Sequence, residues 1–383
     1  MAWTLATNSD GKRLAEIVKA LALALGLIGL ANCSSVSGAH APLSAPSSEG
    51  HPTAKASVPG ALVSEPWREV TISVTNLERT ARFFRELGNY ETVHRGRLSR
   101  ASIEAFGLQD GARGASLTLR APGARHGFVR LVRFDDAGRK EPTRPGARAW
   151  DTGCYWSVMV RVKDMGRIYD DAIALGWWTQ TPITRIKFGG SMIDVVVFQG
   201  PDGVQVQAYE RIGSDLPADF APFERMSQPF NIMQMTRDRD AARRLMVDVL
   251  GFETFFYGTP YVDSSPSFMP LGIPKNLTTT VPYKAGIFYP VAGEYGRMEY
   301  IEIDGLEGHD FAERCNAPNL GILTVSYPVA SIAALQARLA QKGWAITRGP
   351  YVVDRAPYGR AQGLAIKSPD GASIEFVQTI GDR

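Results

Sequence analysis

Residues 70–90 read VTISVTNLERTARFFRELGNY, and residues 232–252, starting 162 positions later, read IMQMTRDRDAARRLMVDVLGF. Each stretch begins with apolar and polar residues in alternation, which is typical of a half-buried strand, and continues into an amphipathic helix that ends at Leu-Gly. The same order recurs at residues 157–178 and 323–344, and several short strand-like runs follow each copy. The sequence therefore predicts four βαβββ modules.

The turn sequence Pro-Asp-Gly is a second landmark of the repeat. It precedes the last strand-like run of the second and fourth copies, at Pro201 and at Pro369, which lie 168 residues apart. The helix-ending Gly88 and Gly251 lie 163 residues apart. Because independent landmarks repeat at nearly the same spacing, we expect two tandem halves of two modules each. The predicted halves are residues 63–212 and 229–383, and the predicted linker between them is 213–228.

The composition is that of an ordinary globular protein. Lys and Arg number 42 and Asp and Glu number 39, which gives a formal net charge of +3. This balance excludes the basic surface typical of nucleic-acid binding, and the sequence leaves the oligomeric state open. The 3 cysteines are too few for a disulfide framework and contain no Cys-x-x-Cys pair.

The amino terminus is typical of an export signal. Basic residues precede an apolar run at 20–31, and Cys33 follows that run. The run is too short for a membrane span, which needs about 20 residues, but it suits the apolar region of a signal peptide. The stretch resembles a bacterial lipoprotein signal with Cys33 as the lipidated residue; an amphipathic helix with an unrelated cysteine is the alternative. We therefore expect a periplasmic protein that contacts the membrane only through its lipid, with a signal at 1–33 and a flexible tether at 34–62.

The repeated modules resemble those of the vicinal oxygen chelate superfamily, which includes glyoxalase I, extradiol dioxygenases and bleomycin-resistance proteins. The resemblance rests on the strand, the Val-x-Asp/Asn-Leu sequence, the helix that ends at Leu-Gly-Phe and the strand after Pro-Asp-Gly, and it covers roughly residues 68–379. It implies an α+β fold in which four βαβββ modules form a tandem pair of barrels. In that family two modules enclose each cleft, and their first and last strands carry the metal ligands.

Carried over residue by residue, the resemblance places no histidine at a ligand position. The eight positions are, in chain order, Glu69, Arg130, Ser157, Gln207, Asn231, Glu299, Thr324 and Glu375. A ferrous extradiol site needs two imidazoles and one carboxylate. The departure therefore excludes a dioxygenase of that type at the usual position.

In the amino-terminal half, the resemblance puts Glu69, Arg130, Ser157 and Gln207 around one cleft as ligand-binding residues. A guanidinium beside a divalent ion is electrostatically unfavourable, so we expect no metal there. Arg130 could bind the carboxylate or phosphate of a ligand in bidentate fashion. A structural ion pair with Glu69 is the alternative.

In the carboxy-terminal half, the resemblance puts Asn231, Glu299, Thr324 and Glu375 around the other cleft. Carboxylate and amide oxygens suit Mg, Mn or Ca more than Zn, and we expect a divalent ion on Asn231, Glu299 and Glu375. Without a metal, one of two neighbouring carboxyls would have a raised pKa and could act as a general acid or base. Pairing of both with Lys or Arg in a degenerate cleft is the alternative.

Aromatic residues accompany the carboxy-terminal cleft. Residues 254–270, TFFYGTPYVDSSPSFMP, have the makeup of a lid or pocket wall over a flat organic ligand, and Tyr351 and Tyr358 are candidate ligand-binding residues in the fourth module. Packing in an aromatic core is the alternative for each of these residues. The first hypothesis is a glyoxalase-like lyase or isomerase in which Glu375 abstracts a proton next to a carbonyl and the ion, held in part by Glu299, stabilises the enolate. The alternative is a non-catalytic protein that sequesters a small molecule, like the bleomycin-resistance proteins, and a purely structural envelope protein is third.

Overall fold

The computed structural model of the chain describes residues 62–381, apart from 64, 147 and 219. The predicted signal peptide, Cys33 and all but the last residue of the predicted tether lie outside these residues. No helix among the described residues has the length and apolar character needed to cross a membrane.

The first two modules have the predicted order of strand, helix and further strands. The first contains β1 Glu69–Ser73, α1 Leu77–Gly88, β2 Glu91–Arg97, α2 Arg100–Ala105, β3 Arg113–Arg120 and β4 Phe128–Asp135. The second contains β5 Ser157–Arg161, α3 Met165–Ala174, β6 Trp178–Thr179, β7 Thr184–Phe188, β8 Ser191–Gln199 and β9 Gln205–Ile212.

The third and fourth modules repeat this order. The third contains β10 Asn231–Met235, α4 Arg239–Arg243 with a π-helical continuation Arg244–Val249, β11 Glu253–Tyr257, β12 Tyr283–Tyr289 and β13 Arg297–Ile303. The fourth contains β14 Gly321–Pro328, α5 Ile332–Gln341, β15 Arg348–Asp354, β16 Arg360–Lys367 and β17 Ser373–Thr379. Short 3-10 turns lie at Pro201–Gly203, Lys275–Leu277 and Ala312–Arg314.

Polar residues at the ends of the first strands explain where the helices begin. Asn76 Oδ1 accepts hydrogen bonds from the backbone N–H groups of Glu78 and Arg79 at 3.0 and 3.1 Å. Asp238 and Ser331 cap the helices of the third and fourth modules in the same way. Each cap satisfies N–H groups that have no partner within the helix.

The strands form two mixed sheets, and each sheet combines modules from different halves of the chain. Sheet one has the order β15-β16-β17-β14-β1-β4-β3-β2 and so joins the fourth module to the first. Sheet two has the order β11-β12-β13-β10-β5-β9-β8-β6, with β7 paired to β8, and joins the third module to the second. The antiparallel pairing of β1 with β14 sets Glu69 opposite Ser326, and that of β10 with β5 sets Asn231 opposite Met159. The expectation that each half of the chain forms its own cleft is therefore not met.

The two Pro-Asp-Gly turns connect the sheets. Asp202, in the second module, accepts hydrogen bonds from the backbone N–H and the hydroxyl of Thr75, in the first, at 2.8 and 3.0 Å. Asp370, in the fourth module, accepts from the hydroxyl of Thr236 and, at 3.1 Å, from the N–H of Arg237, both in the third. The same turn in both halves therefore binds the end of a first strand in the opposite sheet.

A disulfide joins Cys154 to Cys315, whose Cα atoms lie 5.0 Å apart. Both residues are buried, and they lie in the connections that lead to the first strands of the second and fourth modules. The cysteine count excluded a framework of several disulfides, but it did not predict this single bridge between the two inter-module connections.

Candidate functional site

The eight predicted ligand positions are divided between the two sheets, and each sheet combines positions from both halves of the chain. Sheet one carries Glu69, Arg130, Thr324 and Glu375, whereas sheet two carries Ser157, Gln207, Asn231 and Glu299. The cause is the pairing of β1 with β14 and of β5 with β10. The structure therefore does not bring Glu299 and Glu375 together.

An ion-pair network fills the predicted cleft of sheet one. Arg130 donates to Glu69 in bidentate fashion, with Nε–Oε1 at 2.8 Å and Nη2–Oε2 at 2.9 Å. Arg355 Nη2 lies 2.6 Å from Glu69 Oε1, 2.6 Å from Glu375 Oε2 and 2.7 Å from Ser326 Oγ. Of the two roles considered for Arg130, the structure shows the ion pair with Glu69.

The charges in this network balance, and its two carboxyls are buried. Burial by itself would raise the pKa of Glu69, but the guanidinium groups of Arg130 and Arg355 outweigh it and lower that pKa to about 2. Burial and Arg355 oppose each other in the same way at Glu375, and its pKa lies below the ordinary value. Both carboxylates therefore stay ionised at neutral pH and are poor proton acceptors.

The turn that carries Arg355 closes this cleft. Arg130 Nη2 donates to the carbonyl of Ala356 at 2.7 Å, and the Tyr351 hydroxyl donates to Glu375 Oε1. The ring of Tyr358 packs against Phe128, with 5.6 Å between the ring centroids. The remaining cavity measures about 10 Å³, close to the minimum that a single water needs. The predicted ligand-binding residues of this sheet therefore contact one another.

A register difference of two residues separates Thr324 from the network. Thr324 Oγ1 donates to the carbonyl of Ser373 at 2.9 Å, whereas Ser326 contacts Glu375 and Arg355. Alternation predicts only the face of a strand, which residues 324 and 326 share. Ser326 and Arg355 are thus the members of this cluster that the sequence did not indicate.

Sheet two has an open cavity of about 170 Å³. Its walls are mainly aromatic and aliphatic, and they include Met233, Ile287 and the aromatic residues Phe230, Phe255, Phe256 and Phe268. Much of one wall comes from the segment 254–270, which confirms its prediction as a pocket wall. Two of the aromatic side chains are also exposed, Phe255 by 40% and Phe268 by 51%. Such a surface suits a flat, largely apolar molecule.

The polar groups of this cavity include Gln207, Asn231 and Glu299. Asn231 Nδ2 donates to Glu299 Oε2 at 2.9 Å, and Asn231 Oδ1 accepts from the N–H of Ile232 at 2.8 Å. Ser157 donates to Gln207 Oε1 at 3.2 Å and is fully buried. Met159, two residues after Ser157, is the β5 residue that lines the cavity near Asn231.

Glu299 is the group in this cavity whose charge can change near neutral pH. Burial raises its pKa, and the hydrogen bond from Asn231 and the charge of Arg297 only partly offset this effect, so that the pKa lies at about 7. Protonated and ionised forms therefore coexist at neutral pH.

The residues of this cavity do not fit a divalent metal ion. The Asn231 amide nitrogen, which is not a metal ligand, faces the carboxylate, and the amide oxygen accepts from the Ile232 N–H, so Asn231 does not direct its oxygen toward Glu299. Glu375, the third predicted ligand, lies in sheet one beside Arg355. Among the described residues, no cluster of three or more His, Cys, Asp or Glu side chains could hold a metal.

Comparison with known proteins supports the fold. Neither a scan against protein-family models nor a search of curated proteins finds a match. A variant of glyoxalase I from Zea mays is 13% identical to this chain with a TM-score of 0.53, and the alignment covers 82% of this chain and 93% of that one. Glyoxalase I from Zea mays itself is 12% identical with a TM-score of 0.51, over 82% and 92% of the two chains. The chain therefore has the α+β fold of the vicinal oxygen chelate superfamily, as four βαβββ modules in a tandem pair of sheets.

Proposed function

We propose that the cavity of sheet two is the active site of a glyoxalase-like lyase or isomerase that moves a proton on a small carbonyl or aromatic compound. The observation that carries the proposal is the Glu299 carboxyl, whose pKa is about 7, within an aromatic-walled cavity. A group that is half ionised at the working pH is the most effective general acid or base. We therefore assign the role of general base to Glu299, whereas the sequence analysis assigned it to Glu375.

Asn231 positions the reacting carboxyl. Its amide fixes Glu299 Oε2, and Glu299 Oε1 accepts no hydrogen bond from any residue that the structure describes. Oε1 is therefore the oxygen that would take a proton from a carbon next to a carbonyl and return it to a neighbouring carbon.

Two tyrosines could stabilise the negative charge that develops on the substrate oxygen. Tyr209 and Tyr283 both line the cavity, and the charge of Glu299 contributes to raising the pKa of each phenol. Burial raises the pKa of both phenols, so they remain protonated and able to donate. Hydrogen bonds to a developing enolate are the usual protein contribution to such a step, and this route needs no metal ion.

We also propose that the protein is exported to the periplasm. The predicted signal peptide motivates this proposal, and the buried disulfide between Cys154 and Cys315 supports it, because such bridges persist in oxidising compartments.

Proton exchange tests the catalytic proposal. In deuterated buffer, NMR would follow exchange of the protons next to the carbonyl of 2-tetralone, a flat bicyclic ketone. The wild-type chain should accelerate exchange, and Glu299→Gln should reduce that acceleration about 10²- to 10⁴-fold. Glu253→Gln, an exposed carboxyl on β11 outside the cavity, is the matched control and should leave the rate unchanged.

Full exchange activity in Glu299→Gln would contradict the assignment. Saturable binding of the ketone without any exchange in the wild-type chain would instead favour the sequestration function of the bleomycin-resistance type.

A further inference from the structure

A buried arginine lines one end of the open cavity. The Arg161 side chain is 8% exposed, and its guanidinium lies 4.5 Å from the centroid of the Phe230 ring. Nη2 donates to Glu294 Oε2 at 2.8 Å. Nε is buried and has no hydrogen-bond partner among the described residues. The pairing with Glu294 thus leaves donor capacity of this buried guanidinium unused, and an anionic ligand that contacts the guanidinium would gain binding free energy.

Positive charge exceeds negative charge around Arg161. Burial would raise the pKa of Glu294, but Arg297, Arg161 and Arg211 together lower it. Burial lowers the pKa of Arg211, and the nearby charge of Arg161 lowers it further. Among the described residues at this end, Arg161 and Arg211 thus both act on the carboxylate of Glu294, and Glu299 is ionised only in part.

Elsewhere around the cavity, Lys187 is an exposed cation, and the other charged groups are paired or negative. Arg185 at the rim is paired in bidentate fashion with Asp194, with distances of 2.7 and 2.8 Å. Asp263 and Tyr283 line the cavity on the side of β12. The buried positive charge is therefore concentrated at the Arg161 end, whereas Lys187 is exposed.

We propose that the ligand of this cavity is a flat organic carboxylate, with its anionic group beside Arg161 and its unsaturated part against the aromatic wall. The inference rests on the proposed function of the same site and names its substrate class. An arginine fork matches the geometry of a carboxylate and gives charge-assisted hydrogen bonds. The Tyr209 ring, 5.8 Å from the same guanidinium, adds a phenol donor at this end.

A matched pair of probes tests the anion preference. 2-Naphthoate and 2-naphthamide share one ring system, but the first carries an anionic carboxylate and the second a neutral amide of similar shape. Calorimetry at a pH of about 6 keeps Glu299 mostly protonated. We expect naphthoate to bind about tenfold more tightly, as a charge-assisted hydrogen bond predicts. Arg161→Met should bring the affinity ratio close to one while changing naphthamide binding less than about threefold. Arg185→Gln, which removes a paired cation from the rim, should leave the ratio unchanged.

Equal affinities in the wild-type chain, no binding of either probe, or a preference that persists in Arg161→Met would overturn the proposal. If Arg161→Met fails to fold, Arg161→Gln removes the charge but keeps a polar side chain, and an unchanged ratio in that variant would count against the proposal equally.

A further variant separates this proposal from the catalytic one. Glu299→Gln should abolish proton exchange yet keep the preference for naphthoate. It should also remove the loss of naphthoate affinity that we expect in the wild-type chain as pH rises through about 7 and Glu299 becomes charged. Loss of the preference in Glu299→Gln would place the anion at Glu299 and overturn the assignment to Arg161.

Discussion

Arg355 Nη2 lies 2.6 Å from Glu375 Oε2, and the same nitrogen is 2.6 Å from Glu69 Oε1. One guanidinium therefore supplies the positive charge between two buried carboxylates that come from opposite ends of the chain. The turn that carries Arg355 fills the cleft of sheet one, whereas the corresponding space in sheet two stays open beside Glu299. The two sheets share a fold but differ in chemistry.

Arg355→Met should destabilise the protein strongly. The substitution leaves Glu375 buried without its cation, and breaking a buried ion pair in this way costs about 3–5 kcal/mol in the free energy of unfolding. Urea denaturation at neutral pH measures the loss. Arg185→Met breaks the more exposed pair with Asp194 and should cost at most about 1 kcal/mol. Equal losses in the two variants would show that Arg355 is not a structural cation.

Metal analysis should find less than about 0.1 equivalent of Mg, Mn, Ca or Zn per chain purified without chelators. The physical reason is that Arg355 supplies the positive charge between the carboxylates of sheet one, and the Asn231 amide donates to the lone carboxylate of its cluster in sheet two. A chelator should also leave the melting temperature unchanged. One equivalent of any of these metals, lost in Glu299→Gln, would restore the predicted metal site.

The sequence repeat was sufficient to predict four modules, because strand alternation, helix caps and the Pro-Asp-Gly turns are local signals. It could not predict which modules share a sheet. Backbone hydrogen bonds join β1 to β14, and nothing in the side chains of β1 distinguishes that partner from β5. The pairing decides the site, since it separates Glu375 from Glu299 and gives each carboxyl a different neighbour.

The sequence also could not predict which position along a strand reaches the ion-pair network. Ser326 and Thr324 point to the same face, so the pattern could not tell which of them contacts Glu375. Arg355 lies in a turn, and only the folded hairpin shows that it reaches Glu69. The composition of segment 254–270 favoured a lid or pocket wall but fitted an aromatic core as well, and only the folded chain shows that the segment lines the cavity.

The disulfide between Cys154 and Cys315 should contribute to stability. It closes a sequence separation of 161 residues, for which the chain-entropy model gives about 4–5 kcal/mol. In a Cys33→Ser chain, thiol titration under denaturing conditions should find no reactive thiol before reduction and two after it. Reductant should lower the melting temperature of this chain but not that of a chain that also carries Cys154→Ser and Cys315→Ser. Two free thiols in the unreduced chain from the periplasm would rule the bridge out.

Cys33→Ser tests the predicted lipid anchor. Cys33 follows an apolar run in the sequence and lies outside the described residues. The wild-type chain should partition with membranes after cell fractionation, and the variant should appear in the soluble periplasmic fraction, because the acyl chains are its expected membrane contact. Membrane association that is unchanged in Cys33→Ser would contradict a lipid on this residue.

Titration of Glu299 should lower the free energy of unfolding as the pH rises from 4.5 to about 7. The first value is the ordinary pKa of the carboxyl, and the second is its pKa in the folded chain. Between these values the folded chain binds the proton and the unfolded chain has lost it, so raising the pH favours unfolding. The full difference corresponds to about 3 kcal/mol. Glu299→Gln cannot titrate at this position. When the free energies of unfolding of the two chains are each expressed relative to their values near pH 4.5, that of the variant should increasingly exceed that of the wild-type chain up to about pH 7. The exchange rate of 2-tetralone should rise over the same interval, because the ionised form is the base. Parallel stability curves for the two chains across this range would show that Glu299 has an ordinary pKa and is not poised for proton transfer.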